Sequence, residues 1–529
     1  MQLVLRGIRS LDFRTEKFLG IRFQNGVADY AGGVVSALEC KNVDFYKTGT
    51  GDAIGIKTTT GRQPVKSLTG STIIGYWTSN QDNHEYRYVY AETLTDGTLY
   101  SFESNTFTPI ITGLSVTGKA NGITITQGMY DVFVFTNGDD LYSYCESTTP
   151  KKNAINAVDD QLRQIKGLSL ATQAQRLVIG CENRVHWSKQ LDIYTWDANG
   201  TDSQGQPLST NSHYEEFTNK ITAVANYIEG IIAFTNYDST FMAGNPASLT
   251  EFIREDAAIG GTPCYSSIVV HDKYLFYYDH KQRNIYYFLQ NDVGQKRTGE
   301  PVATEIDQYF AEVDSTYVTN TKMYSVYSGG INEVWVILPI GQNKQRLMIY
   351  DYTIKEWKER TANYIHDLNI YDDGIYTCQG DTIYREYRGY LQDTCSYKIN
   401  TLNFGSDTNL KIPKLLPVVT INYKNECSNT FYVRMRIDGK PKIKEKLVKS
   451  KYINDSTWGD DSNDTSPSSN QMWDVAEWVE NRDFKARKKL PPIQSFRWVE
   501  LTFLTKEVGQ EFDIQCFELK RIRQKTKTL

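Results

Sequence analysis

NEVWVILPIGQNKQRLMIYDYTIKEWKER, residues 332–360, is the stretch whose reading decides the fold. The run VWVIL at 334–338 is apolar, β-branched and aromatic, as a buried strand requires. Pro339, Gly341 and Asn343 break that run with turn chemistry. RLMIYDY at 346–352 is a second strand, residues 351–355 suit a tight turn, and Trp357 falls in a third, shorter strand. The pattern predicts one four-stranded antiparallel blade. Apolar on both faces, such a blade needs neighbours to stack against.

Those neighbours recur along the chain. YRYVYAE (86–92) precedes the turn Thr95-Asp96-Gly97, and DVFVF (131–135) precedes Asn137-Gly138-Asp139. RLVI (176–179), GIIAFT (230–235), YLFYY (274–278) and GIYT (374–377) each lead through a turn into another short strand. With the opening stretch these make seven hairpin units, spaced roughly 40–60 residues apart as propeller blades are. Asp96-Gly97 and Asn137-Gly138 are strong hairpin turns, because Gly accepts positive φ without steric cost. Seven unrelated hairpins in a sandwich are the competing architecture, but a sandwich spaces its strands more closely. The expected fold is therefore all-β: a β-propeller of about seven blades, six or eight being the neighbouring counts, followed by a small antiparallel β-sandwich.

The expected domains are an N-terminal segment at 1–70 that completes the propeller, the propeller at 71–395, and the sandwich at 396–529. In the last, LPVVTINY (416–423), FYVRMRI (431–437), SFRWVELTFL (495–504) and EFDIQCFELKR (511–521) alternate apolar and polar residues, as half-buried antiparallel strands do. An acidic, Ser/Asn-rich stretch at 454–470 reads as a long exposed loop, flanked by Trp473 and Trp478. The tail RIRQKTKTL reads as a basic, flexible end.

Composition agrees with β structure. Tyr supplies 36 residues and aromatics 13% of the chain, with only 14 Pro. No apolar run approaches the ~20 residues that span a bilayer. The first residues carry Arg6, Arg9 and Arg14 without a long apolar core, so no cleaved signal is expected and a cytoplasmic site of synthesis is. A formal net charge of −5 disfavours a DNA-coating protein, which would be basic.

Chemistry-bearing motifs are sparse. Eight Cys lie far apart with no CxxC pair, and read as free thiols packed as small hydrophobes. Six His form no HxH, HxxxH or HExxH pattern, and there is no GxSxG, P-loop or GxGxxG after a strand. SKQLDIYTW (188–196) faintly resembles an Asp-box, but its Asp192-to-Thr195 spacing is one residue short, so it reads as a structural turn. Asp139-Asp140, Asp372-Asp373 and Asp460-Asp461 suit turns before they suit Ca²⁺. In the pairs Tyr277-Tyr278 and Tyr286-Tyr287 adjacent side chains point to opposite faces, which assigns them to core packing. No catalytic residue, cofactor or metal ligand is expected, and the chain does not read as an enzyme. Trp473 and Trp478 are the candidate interface contacts.

Several phrases in order carry a family resemblance. CKNVDFYKTGTGDAIGIKTTTGRQPV (40–65), RLVIGCENRVHWSKQLDIYTWD (176–197), GIIAFTNYDSTFMAGN (230–245), GGTPCYSSIVVHDKYLFYYDHKQRNIYYF (260–288) and the opening stretch together resemble the packaged-DNA stabilisation, or tail-nozzle (tail hub), proteins of short-tailed double-stranded DNA phages. The likeness covers about residues 38–390; the C-terminal strands match no pattern. It implies a structural virion protein made in the bacterial host cytoplasm. It further implies a homo-oligomeric ring, commonly of six copies with twelve as the other count, below the portal and adaptor proteins. Such a ring seals packaged DNA, continues the ejection channel, and carries distal spike, fibre or needle proteins. Double-stranded DNA would pass through its lumen without sequence-specific contacts, and no membrane is involved. Two other readings stay open: a non-phage propeller binding scaffold, with a ligand patch near His271 or Asp372, and a glycan-binding or glycan-processing tail enzyme, with paired carboxylates in a cleft.

Overall fold

The computed structural model describes residues 11–15, 17–22, 34–48, 53–159, 161–196, 208, 210–248, 251–290, 296–388, 393–399, 402–403, 414–416, 418–423, 430–437, 444–449, 484–488, 493–496, 498–507 and 510–524. The chain forms two compact units. A propeller unit comprises Arg62–Lys355 and Ala362–Gly389; an interleaved unit comprises Met1–Gly61, Glu356–Thr361 and Tyr390–Leu529.

Six four-stranded antiparallel sheets form complete blades of the propeller unit. Blade 1 runs Thr72–Gln81, His84–Glu92, Gly97–Glu103 and Thr106–Leu114 from the inside out. Blade 2 is Asn121–Gln127, Tyr130–Thr136, Leu141–Tyr144 and Lys152–Ala154; blade 3 is Ser169–Gln173, Arg176–Cys181, Arg184–Trp187 and His213–Glu216. Blade 4 is Ala223–Tyr227, Gly230–Phe234, Asp238–Ala243 and Ile253–Ile259; blade 5 is Ile268–His271, Tyr274–Asp279, Asn284–Gln290 and Lys296–Pro301. The antiparallel strands Lys322–Ser328, Ile331–Gly341 and Lys344–Asp351 hold the sixth position. The last blade takes Ile365–Tyr371, Gly374–Gln379 and Thr382–Glu386, and Arg62–Ser67 pairs antiparallel with Thr382–Glu386 as its outer strand. The innermost strands touch in cyclic order, the last returning to the first, so the ring has seven positions.

Strand alternation explains the stacking. In Tyr130–Thr136, Phe133 and Phe135 pack with Tyr88 and Tyr90 of blade 1. Val132 and Val134 face Leu177 and Ile179 of blade 3. Successive side chains of one strand thus feed two different inter-blade cores. The same rule separates Tyr277, which packs on Phe234 of blade 4, from Tyr278, which stacks on Phe310.

All three strands expected of the opening stretch are present: Ile331–Gly341 and Lys344–Asp351 lie in the propeller unit, and Glu356–Arg360, carrying Trp357, lies in the interleaved unit. There it pairs parallel with Val34–Lys41 at Lys41↔Glu359. Charged side chains of this strand are satisfied within the same unit. Glu356 accepts hydrogen bonds from Gly20 N and Arg22 Nη2, both at 2.9 Å. Lys358 Nζ reaches Asp44 Oδ1 at 2.6 Å, and Arg360 donates to Thr60 O and Gly61 O at 3.1 and 3.2 Å. A Cβ at Gly20 would lie 2.4 Å from Trp357 O, so the close approach of the two backbones requires glycine there.

Val43–Lys47, within the segment expected to complete the propeller, pairs with Ile54–Thr58 in the interleaved unit. The N-terminal segment therefore divides at Gly61: only Arg62–Ser67 joins the blades. The antiparallel strands expected after residue 396 are present in one curled sheet, where Thr430–Ile437 pairs with Trp498–Leu504 and Val418–Tyr423 with Asp513–Gln524. Its core joins Phe18 to Tyr397 and Phe517, and Phe431 to Phe503 and Phe512. The tail is ordered further than expected, since Asp513–Gln524 includes residues 521–524 and pairs Ile522 with Leu11. The 454–470 stretch, Trp473 and Trp478 lie outside the described residues.

Candidate functional site

Each inner strand hands over to its neighbour through a two-residue turn. The flanking pairs are Gln81↔His84, Gln127↔Tyr130, Gln173↔Arg176, Tyr227↔Gly230, His271↔Tyr274, Ser328↔Ile331 and Tyr371↔Gly374. Asp82-Asn83, Ala174-Gln175 and Asp372-Asp373 hold both turn residues at positive φ, the geometry that matches the twist of a tight hairpin.

The residue just before this turn reaches the next blade at six of the seven positions. Gln81 accepts from Glu146 N at 3.2 Å, and Gln127 accepts from Ile193 N at 2.8 Å. Gln173 Nε2 donates to Met242 O at 3.3 Å, and Tyr227 Oη donates to Lys273 O and Phe288 O, each at 3.1 Å. His271 spans to Ser325 Oγ at 2.8 Å and Asn332 Oδ1 at 2.6 Å. Tyr371 lies under the Arg87 guanidinium at 4.1 Å. These six side chains form a ring of inter-blade latches. Replacing Gln173 by Leu removes its bonds to blade 4 and also strands Trp187 Nε1, which donates to Gln173 Oε1 at 2.8 Å. The expected cost is about 1–3 kcal/mol, read by chemical denaturation.

Inside the latches the inner strands enclose an axial cavity of about 840 Å³. Its walls come from all seven positions, among them Trp77, Asn121, Ser169, Asn226, Val270, Lys322 and Asp367. Asp367 accepts from Tyr324 Oη at 2.9 Å, Tyr76 N at 2.8 Å and Leu368 N at 2.9 Å. Lys322 Nζ donates to His366 O. Burial raises the Asp367 carboxyl against the opposing pull of Lys322, and burial lowers the Lys322 amine against Asp367. His366 is pushed down to about 4 by burial and by the Lys322 charge, so it is neutral at pH 7. Tyr265 Oη donates to Ala120 O at 2.9 Å.

A second recess of about 570 Å³ shares Lys119, Ser169, Tyr265 and Thr319 as walls with the axial cavity. Lys119, Lys166 and Lys220 precede the inner strands of blades 2, 3 and 4, and all three line this recess with Glu182 and His280. Lys166 and Lys220 are exposed, while Lys119 is half-buried and donates to Thr319 Oγ1 at 3.3 Å.

The residues singled out from sequence fall elsewhere. His271 is a latch, and Asp372 is a turn residue on the latch side. Asp140 accepts from Ser115 N at 2.7 Å and Asn137 Nδ2 at 3.2 Å, closing a turn. Asp192 accepts from Tyr194 N and Thr195 Oγ1, which makes 188–196 the structural turn expected. Six described cysteines are free, five of them buried. Among the described residues no group of three or more His, Cys, Asp or Glu is placed to hold a metal ion. Also among them, no helix is long and apolar enough to cross a membrane. The axial lysine and aspartate were missed because Lys322 and Asp367 are far apart in sequence and converge only when the ring closes.

No protein-family model matches the chain, and no curated protein matches it. Among solved structures it is similar to the BBS1N chain of a crystal structure of BBS1N in complex with ARL6DN. That similarity covers 62% of this chain and 96% of that one, at 12% identity and a TM-score of 0.35. The strand pairings define the chain as an all-β protein whose larger unit is a β-propeller.

Proposed function

We propose that the chain is a structural component of a short phage tail, one subunit of a ring that continues the DNA-exit channel below the portal and adaptor. The observation that carries this reading is where the ordered phrases fall. Residues 40–65 cover strands of the interleaved unit and reach into the ring-closing strand Arg62–Ser67. The phrases at 176–197, 230–245 and 260–288 fall on blades 3, 4 and 5 in turn, and 332–360 leads from the sixth position back into the interleaved unit. The resemblance thus follows the succession of blades. A closed propeller suits a load-bearing subunit, because each blade is held by two neighbours. A mildly acidic chain also suits a wall past which duplex DNA slides.

The test is co-sedimentation with portal–adaptor particles. Co-sedimentation in a fixed ratio of subunits per particle is the expected result. A chain that stays in the supernatant at every input overturns the reading.

A further inference from the structure

We propose that the paired axial and side recesses of the propeller bind a small organophosphate, its ring body among the axial aromatic side chains and its phosphate at the lysine-bearing loops. This inference stands on the geometry of the propeller unit and does not depend on the tail reading.

Three observations carry it. The first is size and lining. An axial cavity of about 840 Å³ lies within the range of small-molecule sites. Trp77, Tyr265, Tyr324 and Tyr364 supply aromatic surface on its walls. The second is charge. The chain carries −5 overall, yet the ionisable walls of the two recesses are Lys119, Lys166, Lys220 and Lys322 against Glu182 and Asp367. His366 is neutral at pH 7 and burial pushes His280 down as well, so the lysines and carboxylates of the two adjoining recesses leave two net positive charges. The third is arrangement. Three of the four lysines sit on three successive inter-blade loops, so one recess is lined by lysines from three separate backbone anchors. A phosphate, with its multiple negative oxygens, can engage several such point charges at once, whereas a carboxylate offers only two oxygens. Tyr265 and Thr319 wall both recesses, which places the aromatic body next to the phosphate position.

The experiment is calorimetric titration of the full chain at low ionic strength with AMP, phenyl phosphate, inorganic phosphate and adenosine. AMP or phenyl phosphate is expected to bind more tightly than either inorganic phosphate or adenosine. The Lys166→Met/Lys220→Met double variant is expected to weaken the organophosphate roughly tenfold, with adenosine unaffected. Glu182→Gln removes the like charge at the same recess and is expected to tighten binding several-fold. Both lysines are exposed, so the double variant should melt as the wild type does; if it does not, the Glu182→Gln result decides. Organophosphates that bind no better than inorganic phosphate, or that are indifferent to these substitutions, overturn the proposal.

Discussion

Lys358→Met unfolds the interleaved unit more easily by about 3–5 kcal/mol at pH 7. Lys358 and Asp44 meet at 2.6 Å with side chains only 5% and 17% exposed, so removing the amine leaves a carboxylate in a water-poor site. Burial alone would raise Asp44, but the Lys358 charge and hydrogen bond outweigh it and hold the carboxyl below its usual range. That sign fixes the pH dependence. The pair contributes stability above the unfolded carboxylate range, and the contribution is lost as pH falls through the depressed folded value. In the variant Asp44 loses its partner and protonates more readily. The difference between variant and wild type should therefore be largest near neutrality and shrink in acid. Urea melts across pH, followed by a probe in the interleaved unit, check both the size and the trend.

Arg176→Met has a comparable effect on the propeller unit, about 3–4 kcal/mol. Arg176 is 1% exposed, and its guanidinium donates to Ser188 O at 2.9 Å, Thr210 O at 3.0 Å and Asn211 O, with Asn245 Oδ1 of blade 4 at 3.4 Å. Burial pulls it down to about 10, which leaves it charged at neutral pH. Met fills most of the stem's volume but satisfies none of those acceptors. The carbonyls it strands belong to the connection between the third and outer strands of blade 3, which begins directly after Trp187. Thermal melts followed by tryptophan fluorescence should show a lowered midpoint. An unchanged midpoint would mean that water replaces the guanidinium at no cost.

The blades were legible because their middle strands are apolar on both faces and their second turns carry Asp96-Gly97 or Asn137-Gly138. The inner hairpins were harder to see, since their turns use Asp82-Asn83, Ala174-Gln175 or Asp372-Asp373, where positive φ falls on ordinary residues. A signal did exist: Gln81, Gln127 and Gln173 recur 46 residues apart and occupy the same latch position. The interleaved unit hid for a different reason. In EWKER the sequence shows only a short strand around Trp357, and nothing local reveals that Glu356, Lys358 and Arg360 bond to Arg22, Asp44 and the 60–61 backbone. The recess lysines carried no local signal either, because each is a lone loop lysine until three inter-blade loops come together.

Light scattering of the purified chain, alone and with portal–adaptor particles, bears most directly on the assembly reading. A mass about six times the 60.5 kDa of one chain, formed alone or only on the particles, is the predicted result. A chain that remains at 60.5 kDa under both conditions contradicts it.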